Sequence, residues 1–125
     1  MKTCEILLID DDPMTNFINK TVIKSEFPDY SLVIFDNGLN ALGHIRENPS
    51  SSYLIFLDIN MPVMDGWEFL DKISEDTIQY NLVIHILSSS LDIVDKQKAK
   101  ENDLVSSFIT KPLKRDILKE LKSHM

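Results

Sequence analysis

Residues 52–73 read SYLIFLDINMPVMDGWEFLDKI, one complete strand–loop–helix unit. Tyr53 to Leu57 is a continuous run of apolar residues rich in strand formers. Runs of this kind suit strands buried on both faces, as in a parallel sheet covered by helices on each side. The run stops at Asp58. Beyond a short loop, Asp65-Gly66-Trp67-Glu68 has the spacing of a capping box, and Phe69, Leu70 and Ile73 then recur at helical intervals.

The same unit recurs in both directions along the chain. Further apolar runs lie at Ile6 to Ile9, Leu32 to Phe35 and Leu82 to Leu87, with a weaker one at Val105 to Thr110. Asp12-Pro13 pairs a good N-cap with a proline at the first helical position. Behind it Met14, Phe17, Ile18, Thr21 and Val22 share one face, an apolar stripe of the sort that meets a core. Asn37-Gly38 opens a second helix with Leu39, Leu42 and Ile45 expected inward. The fourth helix, Leu91 to Asn102, is charged and only weakly amphipathic, whereas Leu113, Ile117, Leu118 and Leu121 give the fifth a clean stripe. Five βα units in succession predict a doubly wound α/β fold with a five-stranded parallel sheet. No linker or repeat interrupts residues 1–125, which read as one domain.

Composition limits what such a domain does. At 43% hydrophobic and 26% charged residues the chain is of the globular class. Its net charge of −7 argues against nonspecific binding to nucleic acid or anionic lipid. The same carboxylates favour hard divalent cations. Cys4 is the only cysteine, which excludes an intrachain disulfide, and its place before an apolar run suggests a buried small hydrophobe. With no targeting segment and no run approaching the ~20 apolar residues of a membrane helix, a cytoplasmic location is expected by elimination.

In an open parallel sheet ligands bind beyond the carboxyl ends of the strands, at the switch point of strand order. The first strand ends in Asp10-Asp11, the third in Asp58, the fourth in Ser88 and the fifth in Lys111-Pro112. With strand order 2-1-3-4-5, Asp10, Asp11 and Asp58 converge, flanked by Ser88 and Lys111. Like charges ~4 Å apart cost on the order of 4 kcal/mol at an effective dielectric of 20. A cation offsets them, and Mg²⁺ suits oxygen ligands that leave it several waters. Together with Lys111 and a hydroxyl, such a pocket can hold and polarise a phosphoryl group, with a carboxylate as nucleophile.

The set Asp10-Asp11, Asp58-Ile59-Asn60-Met61-Pro62-Val63-Met64-Asp65-Gly66, Ser88 and Lys111-Pro112 resembles the signature of response-regulator receiver domains, in order and spacing from Glu5 to Leu121. The resemblance implies the flavodoxin-like (βα)5 sandwich and a role for each position. Asp58 would be the phosphoacceptor. Asp10, Asp11, Asp58 and the Asn60 backbone carbonyl would hold Mg²⁺, with Mn²⁺ as an alternative and Asp10 acting largely through water. Lys111 would bind phosphoryl oxygens, or pair with Asp58 in their absence, and the bond before Pro112 would be cis. Ser88 and Phe108 would be the switch pair, remodelling the face formed by the fourth helix, fifth strand and fifth helix. Asn60 and Ser90 would tune hydrolysis of the acyl phosphate. A histidine kinase or histidine phosphotransfer protein would donate, a separate downstream protein would receive the signal, and a homodimer of the phosphorylated form is a further partner the resemblance allows. The chain departs from the pattern at Ser89, in lacking a glycine before Phe108, and in lacking the hydroxyl of the tyrosine variant at Phe108.

Plainer roles suit several residues. Asp12 and Asp65 read as helix caps, Asp36 as a turn residue on an edge strand, and Gly66 as a turn residue. His85 reads as a core or lining histidine, and at least one of Trp67 and Phe69 as core. Two other functions fit parts of the pattern. A Mg²⁺-dependent aspartyl-phosphate phosphatase of the haloacid-dehalogenase kind would need a second aspartate at position 60, where Asn60 stands, and a cap domain. A module that binds without phosphorylation would have no use for the intact set of Asp10, Asp11, Asp58 and Lys111.

Overall fold

Strands and helices alternate without exception in the computed structural model, which describes residues 4–124. In chain order they are β1 (Cys4–Ile9), α1 (Pro13–Glu26), β2 (Ser31–Phe35), α2 (Gly38–Glu47), β3 (Ser52–Leu57), α3 (Gly66–Glu75), β4 (Asn81–Ser88), α4 (Ile93–Glu101), β5 (Val105–Thr110) and α5 (Arg115–Ser123). The strands form one parallel sheet in the order β2-β1-β3-β4-β5. This is the flavodoxin-like arrangement expected from the sequence. Register decides where the chemistry falls. Ile9 of β1 lies opposite Leu57 of β3, so the next residues, Asp10 and Asp58, leave the sheet side by side.

Alternate strand residues build two cores, as the two-residue period of a strand requires. Leu7, Ile9, Ile55 and Leu57 meet Leu42 and Ile45 of α2 and Phe69, Leu70 and Ile73 of α3. Ile6, Leu8, Leu54 and Phe56 meet Ile23 of α1, Phe27 and Leu118 of α5 on the opposite face. His85 is a core residue on that second face, stacked on Phe56 with its Nδ1 2.7 Å from the Ser107 Oγ. Burial holds its pKa below the ordinary histidine value.

Four expectations need correction. In α1 most of the expected stripe faces away from the sheet: Met14, Phe17, Ile18 and Thr21 are exposed and only Val22 packs on the core, while Asn16, Asn19, Ile23 and Glu26 are buried. Tertiary contacts fix this rotation. The Asn16 amide donates to the Asp10 carbonyl at 2.7 Å, and Glu26 is held by Arg115 at 3.1 Å, with its carbonyl accepting from Lys122 at 2.7 Å. Turning the stripe inward would break all three. Leu39 is also exposed, because α2 packs through Ala41, Leu42 and Ile45. Cys4 is only half-buried, although burial still raises its thiol pKa. Helix α4 is shorter than expected: the Asp92 side chain caps it by accepting from the Val94 N–H, which leaves Leu91 outside. No helix of the described residues is long and apolar enough to cross a membrane.

Candidate functional site

The carboxyl ends of β1 and β3 bring three aspartates together. Asp10 and Asp58 are only 2% and 7% exposed, and Asp11 lies at the surface beside them. One carboxylate oxygen from each lies within 4.8 Å of the others. Asp10 is held from four sides. Its backbone N–H donates to the Phe35 carbonyl at 3.0 Å, its carbonyl accepts from Asn16, its Oδ1 accepts from the Asp12 N–H at 3.0 Å, and its Oδ2 meets the Lys111 Nζ at 2.6 Å. A buried charge persists when it is paired and hydrogen-bonded in this way. Asp58 is anchored through its backbone, donating to the Ile9 carbonyl at 2.9 Å, but its side chain has little support. The Asn60 N–H reaches Asp58 Oδ1 at 3.4 Å, and the Lys111 Nζ stands 3.9 Å from Oδ2.

The imbalance shows in the protonation of Asp58. Burial pushes its pKa up to about 6, the negative charge of Asp10 adds to the rise, and Lys111 opposes it. Lys111 pairs with both carboxylates, as expected for Asp58 at 3.9 Å, and lies closer still to Asp10 at 2.6 Å. The lysine is placed by the end of β5, where its own N–H donates to the Ser88 carbonyl at 2.8 Å; the Lys111–Pro112 bond is cis, as expected.

Ser88 is fully buried, and its Oγ accepts from the Ser90 N–H at 3.1 Å. Ser90 in turn donates from Oγ to Asp95 Oδ2 at 2.7 Å and accepts from the Asp92 N–H at 3.2 Å, which ties the β4–α4 loop to the first turn of α4. Phe108 stands apart from the carboxylates, half-buried against the cluster of Ile59, Ile86 and Ala99. Asp12 caps α1 by accepting from Met14 and Thr15, and Asp65 forms the complete capping box with Glu68. Neither belongs to the group of carboxylates close enough to share an ion. Asp36 is an exposed residue after β2, as expected.

Two residues of the site escape a reading by residue type. Gly66 is the first residue of α3, not a free turn, and a Cβ there would lie 2.7 Å from the Asp58 carbonyl oxygen and 2.8 Å from the Ile59 Cα. Only glycine lets the helix start this close to the loop that follows Asp58. Asn16 was hidden because hydrophobic spacing points to the opposite face of α1. The signal that remains is the polar set Asn16, Asn19 and Glu26, repeating at helical intervals with Ile23. In the same loop Val63 has φ 70° and is 77% exposed, a conformation that β-branched residues rarely adopt.

Three hard oxygen donors beside a fixed ammonium, with the Ser88 hydroxyl at the end of the next strand, suit a divalent cation and a phosphoryl group together. Comparison with known proteins agrees. The family model of the response regulator receiver domain matches residues 6–122. The chain is 30% identical over 120 residues to hybrid signal transduction histidine kinase L of Dictyostelium discoideum, spanning 94% of this chain but 7% of that protein. It is 28% identical to response regulator Rcp1 of Synechocystis sp., over 82% of this chain and 68% of the relative. The crystal structure of a two-component response regulator from Cytophaga hutchinsonii superposes with a TM-score of 0.85 at 32% identity, covering 99% of this chain and 97% of that one. From the convergence of Asp10, Asp11, Asp58 and Lys111 and from these likenesses, the chain belongs to the response regulator receiver domains of two-component signalling.

Proposed function

We propose that Asp58 accepts a phosphoryl group from a phosphohistidine donor in a Mg²⁺-dependent reaction, and that the modified domain acts as a switch on a separate partner. The observation that carries this reading is the buried Asp58 carboxylate, close to two further carboxylates and one lysine. Asp10, Asp11 and Asp58, with the Asn60 carbonyl, are the groups that would hold the cation. Bound there, Mg²⁺ (or Mn²⁺) supplies positive charge that keeps the carboxylates ionised and offsets the oxygens of the transferring group.

The chain's own residues perform the rest. An Asp58 carboxylate oxygen attacks phosphorus in line, the P–O bond of an acyl phosphate forms, and the P–N bond to the donor imidazole breaks with its electron pair leaving on nitrogen. Lys111, already fixed at the rim by Asp10, moves to the phosphoryl oxygens. The Ser88 hydroxyl turns to the same group and releases the Ser90 N–H. That loss loosens the bond network running from Ser90 to Asp95, so the start of α4 shifts and Phe108 repacks against the α4–β5–α5 face. Asn60, which is exposed, and half-buried Ser90 control the access of water to the acyl phosphate. The chemistry is a single self-modification followed by slow hydrolysis, not turnover of a small substrate.

Intact mass spectrometry after incubation with acetyl phosphate and Mg²⁺ tests this. One added phosphoryl is expected, lost in Asp58→Asn and in EDTA. Absence of an adduct at any Mg²⁺ concentration sinks the proposal, and multiple turnover of a phosphoester would replace it with a phosphatase.

A further inference from the structure

The end of the sheet opposite Asp58 carries a cavity of about 370 Å³. Cys4, Ser52 and Asn81 open β1, β3 and β4, Ser106 lies second in β5, and Leu121 and His124 reach them from the end of α5. The apolar stripe of α5 explains the space. Its last member is Leu121, and polar Lys122, Ser123 and His124 follow, so the face of β3 and β4 beneath them is incompletely covered. Val83 on that face is 42% exposed, although β4 is an interior strand of the sheet.

The lining is buried on the inside and polar at the rim. Leu54 and His85 are buried, whereas Asn81, Ser106 and His124 are exposed, and the Asn81 amide donates to the Ser52 Oγ at 2.8 Å. Among the described residues no Asp, Glu, Lys or Arg lines the cavity. One buried polar atom is left over. His85 is only 6% exposed; its Nδ1 meets the Ser107 Oγ at 2.7 Å, while its Nε2 takes part in no hydrogen bond among the described residues. A buried polar atom without a partner is costly, and folded proteins leave few of them. Burial holds the ring's pKa below the ordinary histidine value, so a neutral imidazole lines the space. It donates or accepts there according to which way the Ser107 hydrogen bond runs. A hydroxyl, being both donor and acceptor, answers either case.

We infer that this cavity binds a small, neutral, largely apolar alcohol or phenol whose hydroxyl hydrogen-bonds the Nε2 of His85. The volume is in the range of small-molecule sites, which join apolar walls to a few placed polar groups. A charged ligand would lose its hydration against a lining that offers no counter-charge. A metal ion is the wrong occupant, because Cys4, His85 and His124 do not converge closely enough to share one; among the described residues only Asp10, Asp11 and Asp58 do. A second copy of the chain is also the poorer occupant. Val83 is the one exposed apolar side chain of the lining, too little for a stable self-interface. The site lies at the far end of the sheet from the carboxylates and stands whether or not Asp58 is phosphorylated.

The test titrates the full, nitrogen-15-labelled chain at neutral pH with 4-methylphenol, toluene and 4-methylbenzoate, and follows amide and histidine-ring resonances. Saturable shifts with 4-methylphenol are expected, concentrated at residues 52–54, 81–85 and 121–124. It should bind about three- to tenfold more tightly than toluene, the worth of one hydrogen bond. The carboxylate of 4-methylbenzoate should prevent saturation. The His85 ring nitrogens should shift with 4-methylphenol and stay in place with toluene. His85→Phe, which keeps an aromatic ring against Phe56, should erase the preference for the phenol, and Val83→Trp, which fills the mouth, should abolish binding of both neutral probes. Where His85→Phe does not fold, the ring nitrogens of the unaltered protein decide alone. Failure of 4-methylphenol to saturate overturns the inference, as do equal affinities for phenol and toluene, or a preference that survives in His85→Phe. So do saturation by 4-methylbenzoate at the same residues, binding untouched by Val83→Trp, and a dimer in sedimentation that Val83→Trp dissolves, which would make a second copy the occupant.

Discussion

The middle of the sheet and its carboxyl end are built on opposite principles. In the middle, Leu7, Ile55, Phe56 and Ile84 are fully buried, apolar and regular, and each local preference agrees with the fold. A few residues further along the same strands the rules are broken together. Asp10 and Asp58 are buried charges, Val63 has positive φ, and Met14, Phe17, Leu91 and Ile93 are exposed. The difference teaches that the buried carboxylates and the positive-φ residue gather at one end of the sheet, on a middle that is close-packed and apolar. One consequence is a difference in sign: changes in the middle destabilise, while changes that relieve the end stabilise.

The largest effect is expected in the middle. Ile55→Ala should lower unfolding free energy by about 2–5 kcal/mol, since a site packed on both faces cannot collapse to fill the cavity. Chemical denaturation measures it, and a cost under about 1 kcal/mol would show that the two regions do not differ as described.

Asp58→Asn should act in the opposite direction. The folded-state pKa of Asp58 lies above its ordinary value of 3.8, at about 6, so ionised Asp58 weakens the metal-free fold above that pH. The penalty is fully present at pH 7–8, declines as pH falls through about 6, and is gone below the unfolded value. Allowing for screening by solvent, the variant should gain about 1–3 kcal/mol at pH 7.5 in EDTA and nothing near pH 3.8. Thermal unfolding of both proteins across that range reads the difference. A gain that grows as pH falls would contradict the sign.

Smaller still, Val63→Asn should stabilise by about 0.5–1 kcal/mol, because asparagine accepts left-handed backbone and the exposed valine loses no packing. A loss of stability there would mean that the loop is not strained. Last, Phe17→Ser should change stability by less than about 0.5 kcal/mol, as befits a side chain 72% exposed. A core-sized cost in denaturation would mean that α1 is rotated from the orientation described, and would undo the chief correction to the sequence reading.

That correction shows where sequence ceases to suffice. The strands were legible because buried parallel strands leave an unbroken apolar run, and four of five ran that way. Caps at Asp12 and Asp65 were legible because their signal is local and contained within four residues. The triad was legible once strand order was assumed, since each member ends a strand. Helix α1 misleads because its apolar stripe is a local pattern, whereas its orientation is fixed by Asn16 reaching Asp10 and by Glu26 reaching Arg115, 89 residues distant in sequence. Gly66 is similar: its necessity lies in an approach to Asp58 across a loop.

By itself, then, the sequence determined the five βα units, the single parallel sheet and the polar residues that end its strands, because period, capping and strand-end chemistry are written in neighbouring residues. Tertiary structure alone decided which face of α1 is buried, why position 66 admits no side chain, that Lys111 lies closer to Asp10 than to Asp58, and that Lys96, Lys100 and Phe108 share one groove. Those outcomes depend on distances between residues remote in the chain, and packing sets such distances only after every local preference has been expressed.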